Sequence, residues 1–407
     1  MSESLERLSS LLQDVNVVLG LTGSVAVYRV VDVVRILRRH GADVRVVATR
    51  EALKYVTKRL LEWASGREVH TRFGSEPTHV KLSDWCHVYA VAPCTFNTLC
   101  KIANGIADNL VTLTAQCVLG SGKPLLLVPC MSLSMWNSPI LRRALDVLGS
   151  VPNVHILKPD IAEGRAKFPS INRIVEKIVD LAEPRDMIGL RVLVTAGATR
   201  EYVDPIKYFT TPSSGLTGVY FAREAYARGA EVHLVLGYCS EQAREVLQDT
   251  EIRIHQVKTT EEMYLKVREL CKNYSFDIGI FSAAPLDYQL DKKFSKKIDT
   301  DSTRELTLVL KLAPKVIEAA DNVKVKVGFK AEWDVPQDEL IRKAELRMMQ
   351  YDLDLVVAHD VSQGLGFGTT HDSVLLISRL GIVEKLERVH KRELARRVLS
   401  RAVSLLR

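Results

Sequence analysis

Short apolar segments that alternate with helical segments are the feature that most constrains the fold of this 407-residue chain. Such apolar runs occur at residues 15–21, 43–48, 88–92, 125–128, 190–195, 231–236 and 277–282. Parallel strands need a crossover helix between them and are covered on both faces, so they appear as continuous apolar runs. The pattern therefore predicts an α/β fold with two doubly wound, Rossmann-like domains.

The alternation is interrupted at residues 182–188, where Pro184 stands among charged residues. We therefore predict a domain boundary there, with one domain at residues 1–184 and the other at residues 185–407. Neither Gly-rich turn of the chain has the spacing GxGxxG. This disfavours an NAD-dependent reductase, although two Rossmann-like halves alone would allow one.

Three segments interrupt the regular pattern inside the two halves. Residues 160–168 show neither helical nor strand periodicity, which predicts a mobile loop. Residues 289–304 are dense in Lys and Asp, which predicts a mobile flap. Residues 305–311 alternate polar and apolar side chains, which predicts a half-exposed strand.

Composition excludes several classes of protein. The net charge of +7 mildly favours anionic partners, but the charges are dispersed, so we expect no nucleic-acid partner. The first residues are polar and acidic, unlike a signal peptide, and no apolar run is long enough to span a bilayer. The cysteines number seven and include no CxxC pair, which predicts free thiols and a cytoplasmic protein.

Two strand-to-helix junctions carry short residues that suit an anion. Gly23 and Ser24 follow the first apolar run, and Ser213, Ser214 and Gly215 precede a helical segment in the second half. Short residues let backbone N–H groups approach a phosphate, and a helix N-terminus adds partial positive charge. Taken alone, each junction is also compatible with a plain turn.

The residues around these junctions resemble a known enzyme family. The run from Gly20 to Arg29 is similar to the flavin loop of phosphopantothenoylcysteine decarboxylases. The run from Thr195 to Glu201, with Asp204-Pro205 and the Ser-Ser-Gly junction, resembles the signature of phosphopantothenate–cysteine ligases. In this order they resemble the bifunctional decarboxylase/ligases of coenzyme A biosynthesis, and the resemblance covers nearly the whole chain. It implies an N-terminal flavodoxin-like flavin domain and a C-terminal ligase domain.

The resemblance also implies the reactions and the assembly. CTP, with Mg²⁺, would activate 4'-phosphopantothenate as an acyl-cytidylate, and cysteine would displace CMP. FMN-dependent oxidative decarboxylation would then give 4'-phosphopantetheine. Family members form homo-oligomers, with trimers of the flavin domain and dimers of the ligase domain, and the flavin pocket is expected to be shared between subunits.

For the first half, the resemblance implies site residues that follow the predicted strands. His79, in a His-x-x-Leu context, would be the catalytic base, although a lone His is more often a surface or core residue. Cys130 would donate the final proton, although a small apolar filler is its alternative role. The implied contacts are Gly23, Ser24, Val25, Thr49, Thr95, Asn97 and Thr98 for FMN, and Met131, Ser132 and Lys167 for substrate.

The first half also departs from the family pattern at two places. Ser132 stands where the family has an Asn that clamps the substrate carboxylate. Residues 163–169 contain no Cys, whereas the usual clamp loop has one, and here the chain resembles an archaeal branch. Two alternatives therefore stay open: an active ligase with an impaired or altered flavin domain, and a flavin-binding regulatory protein. His79 and the ligase half argue against the second.

For the second half, the implied contacts with CTP are Ser213, Ser214, Gly215, Ala283, Asp287, Lys297, Pro314, Val316, Ile317, Phe329 and Arg347. Thr211 replaces a family Asn that assists the acyl-cytidylate. Lys297 would stabilise phosphate charge, although a Lys-rich run is usually a solvated face. Asp287 would hold the ribose hydroxyls or Mg²⁺, although a turn cap is its alternative role.

Overall fold

The computed structural model describes residues 6–73, 76–299, 304–362, 364, 366 and 368–406. The chain splits into two units, one ending at Glu183 and the other beginning at Pro184. Each unit is a three-layer α/β domain built on its own sheet, so the α/β prediction with parallel sheets is confirmed.

The first unit is built on a six-stranded parallel sheet in the order β3-β2-β1-β4-β5-β7. Its described strands are β1 (Asn16–Leu21), β2 (Asp43–Ala48), β3 (Val69–His70), β4 (Val88–Cys94), β5 (Leu125–Pro129), β6 (Met131–Ser132), β7 (Val154–Ile156), β8 (Asp160–Ala162) and β9 (Arg165–Lys167). Its described helices are α1 (Val30–Arg39), α2 (Lys58–Ser65), α3 (Thr78–Trp85), α4 (Phe96–Ala103), α5 (Leu110–Ser121), α6 (Leu133–Trp136), α7 (Pro139–Gly149) and α8 (Ile171–Ala182). Two 3₁₀ turns, Val25–Arg29 and Ala52–Lys54, follow β1 and β2.

Helix α1 shows why these segments fold as they do. Val30, Val33, Val34 and Leu37 recur at helical spacing and are fully buried. They lie in one core with the apolar strands β1 and β2, so burial of this apolar stripe holds the helix on the sheet. Basic residues in the last turn of α1 complement the negative end of its dipole.

The second unit is built on an eight-stranded sheet in the order β14-β13-β10-β15-β18-β19-β20-β21. Its described strands are β10 (Arg191–Ala196), β11 (Arg200–Tyr202), β12 (Tyr208–Thr210), β13 (Glu231–Leu236), β14 (Arg253–Gln256), β15 (Phe276–Phe281), β16 (Tyr288–Leu290), β17 (Leu310–Leu312), β18 (Val323–Glu332), β19 (Leu355–Asp360), β20 (His371–Ser378) and β21 (Gly381–His390). Its described helices are α9 (Leu216–Ala227), α10 (Glu241–Leu247), α11 (Thr260–Asn273), α12 (Gln337–Tyr351) and α13 (Lys391–Ser404), with a 3₁₀ turn at Val316–Ala319.

The last two strands of this sheet decide where α13 begins. Strand β20 is antiparallel to β19, and β21 is antiparallel to β20, so β21 again runs in the direction of β19. The other strands of the sheet are parallel. Helix α13 therefore begins at the same edge of the sheet as α9, which follows β10, and the two helices pack against each other.

The structure corrects two of the predicted segments. Residues 160–168 are not an irregular loop: β8 and β9 form a hairpin through Glu163 and Gly164, both with positive φ, and β9 also pairs with β6. Because β8 is exposed at every residue, the hairpin has no apolar alternation to detect. At residues 305–311 the predicted strand is reduced to the start of β17, which pairs with β16. Residues 300–303 of the predicted flap lie outside the described residues.

Candidate active sites

In the first unit, a cavity of about 950 Å³ opens at the carboxyl edge of the sheet, where β1, β2, β4 and β5 end. That volume lies in the range of small-molecule and cofactor sites. The predicted residues that line it are Gly23, Ser24, Thr49, Thr95, Asn97, Thr98, Cys130 and Met131. The structure thus brings residues of three loops with predicted FMN contacts to one cavity, together with Cys130 and Met131, which were predicted to act on the substrate.

The first of these loops is shaped by Gly23. A Cβ on Gly23 would lie 2.6 Å from the Cβ of Glu51, which is closer than real contacts allow. Only glycine therefore lets the loop after β1 approach the loop after β2. The next residue, Ser24, caps the 3₁₀ turn Val25–Arg29, because its hydroxyl accepts a hydrogen bond from the N–H of Ala26 at 3.4 Å.

Thr22 connects the first loop to the third and was not singled out from the sequence. Its buried hydroxyl donates to the carbonyl of Pro93 at 2.6 Å and accepts from the N–H of Thr95 at 3.2 Å. The available signal was its position between the strand end at Leu21 and Gly23. Thr22 thereby fixes the distance between two loops that face the same cavity.

The other loops place hydroxyl groups at helical N-termini. Thr95 caps α4 and accepts a hydrogen bond from the N–H of Thr98 at 3.4 Å. Thr49 accepts from the N–H of Ala52 at 3.2 Å, at the start of the second 3₁₀ turn. Backbone N–H groups and hydroxyls at such positions suit a phosphate, so this edge of the cavity can hold an anionic group.

The predicted substrate residues are divided between the cavity and its rim. Cys130 lines the cavity, and the hydroxyl of Ser24 lies 3.7 Å from its Sγ. Ser132 is exposed and caps the short helix α6. The Nζ of Lys167, on the β8–β9 hairpin, pairs with Glu163 at 2.9 Å. Ser132 and Lys167 are described in the structure but do not line the cavity.

Two further predicted residues of this half are described in the structure but lie outside the cavity lining. His79 is the second residue of α3 and is half-buried. Val25 opens the first 3₁₀ turn and is 64% exposed. The roles assigned to both residues therefore stay predictions.

In the second unit, a cavity of about 380 Å³ lies at the carboxyl ends of β10, β15, β18 and β19. Ligands of open α/β sheets bind at this edge of the strands. The predicted residues that line the cavity are Thr211, Ser213, Ser214, Gly215, Ala283, Asp287, Val316, Ile317, Phe329 and Arg347. Pro314 and Lys297 are described but are not part of the lining.

The Ser-Ser-Gly junction leads into α9 as an anion-binding turn would. Gly215 is the N-cap of this 12-residue helix, with φ +77°, and a Cβ there would lie 2.9 Å from that of Cys239. The hydroxyls of Ser213 and Ser214 accept from the N–H groups of Gly215 and Leu216, at 3.3 and 3.5 Å. The positive end of the α9 dipole therefore faces the cavity.

Arg347 brings an available positive group to the same cavity. Its Nε is buried and has no hydrogen-bond partner among the described residues, and its guanidinium lies 5.3 Å from the ring of Tyr351. Burial lowers the pKa of Arg347, while Tyr351 and Asp287 act in the opposite direction. A buried donor without a partner is costly, and an anionic ligand would satisfy it.

Asp287 is engaged by a neighbouring cation. Its carboxylate lies 2.5 Å from the Nζ of Lys315, which also lines the cavity. The described part of the chain contains no group of three His, Cys, Asp or Glu side chains that could hold a metal ion. The role of Asp287 towards Mg²⁺ or ribose stays a prediction.

The segment that contains Lys297 is tied to the loop after β11. The N–H of Ile298 donates to Asp204 at 3.1 Å, and the N–H of Phe294 donates to the carbonyl of Val203 at 3.0 Å. The Nζ of Lys293 lies 3.1 Å from the carboxylate of Glu201. Lys297 itself is exposed, so its segment has a defined anchor while its side chain remains accessible.

Asp204 is the centre of this anchor. Its Oδ1 accepts from the N–H groups of Lys207 and Ile206, both at 2.7 Å. These two backbone hydrogen bonds lower the pKa of Asp204 to about 2, with burial opposing them and the bond from Ile298 adding to them. The carboxylate form of Asp204 is thus the form that holds the two segments together.

His359 and Lys391 are among the titratable residues that line this cavity and had no role predicted from the sequence. His359, at the end of β19, places its Nδ1 3.0 Å from the carboxylate of Asp372. Lys391, the first residue of α13, is only 1% exposed. A polar residue at the start of a helix normally faces solvent, so burial of Lys391 in a cavity could not be predicted from the residue pattern.

Family models match both halves of the chain. Residues 5–183 match the family Flavoprotein, and residues 187–406 match the C-terminal domain of the DNA/pantothenate metabolism flavoproteins. Both matches agree with the enzyme families that the sequence resembles. Among the described residues, no helix is long and apolar enough to cross a membrane.

Individual relatives match the chain over most of its length. The coenzyme A biosynthesis bifunctional protein of Thermococcus kodakarensis is 36% identical over 94% of this chain and 93% of its own. The protein of the same name from Methanocaldococcus jannaschii is 32% identical over 98% and 96%. A crystal structure of the C-terminal domain of such a protein covers 54% of this chain and 98% of its own, with 25% identity and a TM-score of 0.43.

Proposed function

The chain belongs to the family of coenzyme A biosynthesis bifunctional proteins, and from that premise we propose that it joins 4'-phosphopantothenate to cysteine and decarboxylates the product to 4'-phosphopantetheine. It is a bifunctional enzyme, a ligase and a carboxy-lyase. One observation carries the proposal for the sites: each unit has a cavity at the carboxyl edge of its sheet, lined by most of the residues expected for one reaction.

We assign FMN to the cavity of the first unit. The close approach at Gly23 and the capping hydroxyls of Ser24, Thr49 and Thr95 form a cradle that fits a phosphate group and an adjoining ring system. FMN, when bound, supplies the redox chemistry at the substrate thiol, with oxidation before carbon dioxide leaves and the compensating reduction after it, so that no external oxidant is needed. The chain's own contribution is to orient the ligand and to bring Cys130 and Met131 against the substrate side of the cavity.

His79 is the proposed base that takes the thiol proton. It lies outside the cavity of a single chain, so it can act on the ligand only if a second copy of the chain completes the pocket. A homotrimer of the first unit with shared pockets would satisfy this requirement. Ser132 and Lys167, on neighbouring rim elements, would then bind the substrate carboxylate.

We assign CTP to the cavity of the second unit. The Ser213–Gly215 turn and the N-terminus of α9 suit its triphosphate, and Arg347 adds a positive charge that has no other described hydrogen-bond partner at Nε. The remaining lining residues divide by chemistry. Apolar contacts suited to the cytosine come from Val316, Ile317 and Phe329, with Pro314 and Ala283 nearby, and polar contacts with ribose or Mg²⁺ come from Asp287.

The ligation then has two displacement steps at phosphorus and carbon. The carboxylate of 4'-phosphopantothenate attacks the α-phosphate of CTP, and pyrophosphate leaves. The amine of cysteine attacks the acyl carbon, loses a proton, and CMP leaves. Thr211 would donate a hydrogen bond near the acyl group, and Lys297 would stabilise charge at the α-phosphate when its segment closes over the ligand.

Product analysis by mass spectrometry tests the whole proposal. Purified protein is incubated with 4'-phosphopantothenate, cysteine, CTP and Mg²⁺, with a parallel reaction that lacks CTP. We expect 4'-phosphopantetheine, CMP, pyrophosphate and carbon dioxide only in the complete reaction. Accumulation of 4'-phosphopantothenoylcysteine would show that the flavin half is impaired or altered, and the absence of any CTP-dependent product would overturn the ligase assignment.

A further inference from the structure

Lys391 stands at a point where two helices converge. Because β21 runs in the direction of β19, α13 begins at the carboxyl edge of the sheet, beside the beginning of α9. Lys391, the first residue of α13, lines the second unit's cavity together with Leu216, Thr217 and Gly218 of α9. The positive ends of two helix dipoles therefore face one cavity.

A lysine is energetically unfavourable at this position. Its side chain is almost completely buried, and a cation at a helix N-terminus is repelled by the dipole. The ammonium donates a hydrogen bond to the carbonyl of Gly366, and no described carboxylate forms an ion pair with it. A residue that is unfavourable for its local environment, as this buried cation at a helix N-terminus is, occurs mainly where function requires it.

The charged and titratable groups around Lys391 are already engaged with one another. Asp372, on β20, accepts from His359 of β19 at 3.0 Å and from the N–H of Ser373 at 2.9 Å. On α9, Glu224 accepts from Arg392 at 3.1 Å. Two more imidazoles, those of His371 and His390, lie in edge contact with each other. Burial lowers the pKa of Lys391 to about 8, with Asp372 opposing this effect.

We propose that Lys391 binds a phosphate group of the ligand in this cavity. The inference rests on the proposed function, because it takes the ligand to be the triphosphate of CTP or the pyrophosphate released from it. An anion beside Nζ supplies the missing counter-charge and raises the affinity of the amine for a proton. Ligand binding is thereby coupled to protonation of Lys391, to an extent that depends on pH.

Linkage determines the direction and size of the effect. The free protein has Lys391 about half protonated at pH 8, so binding at that pH takes up about half a proton. At pH 6.5 Lys391 is already protonated in the free protein, so ligand binding takes up almost no proton at that pH. If the bound form stays protonated, the affinity falls by about tenfold between pH 7 and pH 9.

Isothermal titration calorimetry tests this with the full-length protein. Mg²⁺–CTP and inorganic pyrophosphate are each titrated at pH 8 in buffers that differ in ionisation enthalpy, and the slope gives the protons exchanged. We expect proton uptake for wild type. Lys391→Met should lose the uptake and bind about tenfold more weakly. Lys391→Arg should retain binding without the uptake, because arginine stays charged.

The matched control is Lys324→Met, which removes an exposed lysine of β18 that pairs with Asp277 away from the cavity. This variant should retain both affinity and proton uptake. The number of protons exchanged by Lys391→Arg also measures the contribution from ionisation of the ligand itself, because arginine does not titrate in this range. If wild type and Lys391→Arg show the same proton exchange and the same pH dependence, the inference is wrong.

The two probes separate this inference from the proposed function. If pyrophosphate binds with Lys391-dependent proton uptake but CTP does not bind, the nucleotide assignment fails and the role of Lys391 stands. If CTP binds without Lys391-dependent uptake, the nucleotide assignment stands and the role of Lys391 fails. If neither ligand binds to wild type, the cavity is not a phosphate site and both are overturned.

Discussion

At the scale of single residues, Asp204 shows how one carboxylate organises a site from outside its cavity. It accepts three backbone hydrogen bonds, two from its own turn and one from Ile298, the residue after Lys297. The Asp-Pro pair was recognised in the sequence as part of a signature. The bond to Ile298 joins residues 94 positions apart, so it could not be predicted without the fold.

Asp204→Asn should make the second unit less stable in a pH-dependent way. The folded-state pKa of Asp204, about 2, lies below its ordinary value of 3.8, so the carboxylate stabilises the folded form. This contribution is complete above about pH 4 and is lost as pH falls towards 2. Urea unfolding of both proteins across this range should show their difference shrinking at low pH. A difference independent of pH would contradict the assignment.

Lys297→Gln should slow formation of the acyl-cytidylate by on the order of 10²-fold, as expected for loss of an electrostatic donor. CTP binding should weaken less, because a charge used mainly in the transition state affects rate more than ground-state binding. Rapid-quench measurement of the intermediate gives the rate. Lys292→Gln, in the same exposed segment, is the control and should change little. Equal, small effects of both changes would identify the segment as a solvated face.

At the scale of helices and strands, the sequence was most informative where apolar residues repeat. The cores of β1, β4 and β10 were predictable because nearly every residue is buried. The exposed strand β8 and the partly exposed strand β21 gave no such signal. The loops at strand ends were predictable through their small and hydroxyl residues. The positions of α9 and α13 relative to each other could not be predicted, because they depend on the direction of the strands that precede them.

Gly23→Ala should weaken FMN binding by about ten- to a hundredfold. The added Cβ would lie 2.6 Å from the Cβ of Glu51, so two of the loops that form the cradle must move apart. Titration of apoprotein with FMN, followed by flavin fluorescence, measures the loss. Gly120→Ala is the matched control, since nothing lies within 4 Å of a Cβ at that position in α5, and it should bind FMN normally. Unchanged FMN affinity in Gly23→Ala would show that the cradle tolerates the separation.

At the scale of the whole molecule, the chain consists of two units that each have their own core and cavity. The interrupted strand pattern around Pro184 is the sequence feature from which we predicted a domain boundary. The position of His79 outside the first cavity was not foreseeable, because a sequence motif does not give the distance between a side chain and a cavity. Sharing of this pocket between subunits stays a prediction. The two proposed reactions should therefore be separable by changes within one unit.

His79→Asn should retain FMN and abolish release of carbon dioxide, because general-base catalysis contributes roughly 10²–10⁴-fold. The same variant should still ligate 4'-phosphopantothenate to cysteine at the wild-type rate, which makes ligation an internal control for folding. Carbon dioxide release and CMP formation are measured in parallel. Near-normal decarboxylation by the variant would remove His79 from the mechanism.

The place of Lys391 at the start of α13 has a consequence for synthesis of the protein. Residues that line the first cavity all precede Ala144, so that site can assemble while the ribosome is still translating the second unit. The second cavity runs from Thr195 to Lys391 and needs β20 and β21 to deliver its lysine. A nascent chain can therefore complete the cavity to which we assign flavin long before it completes the cavity to which we assign CTP.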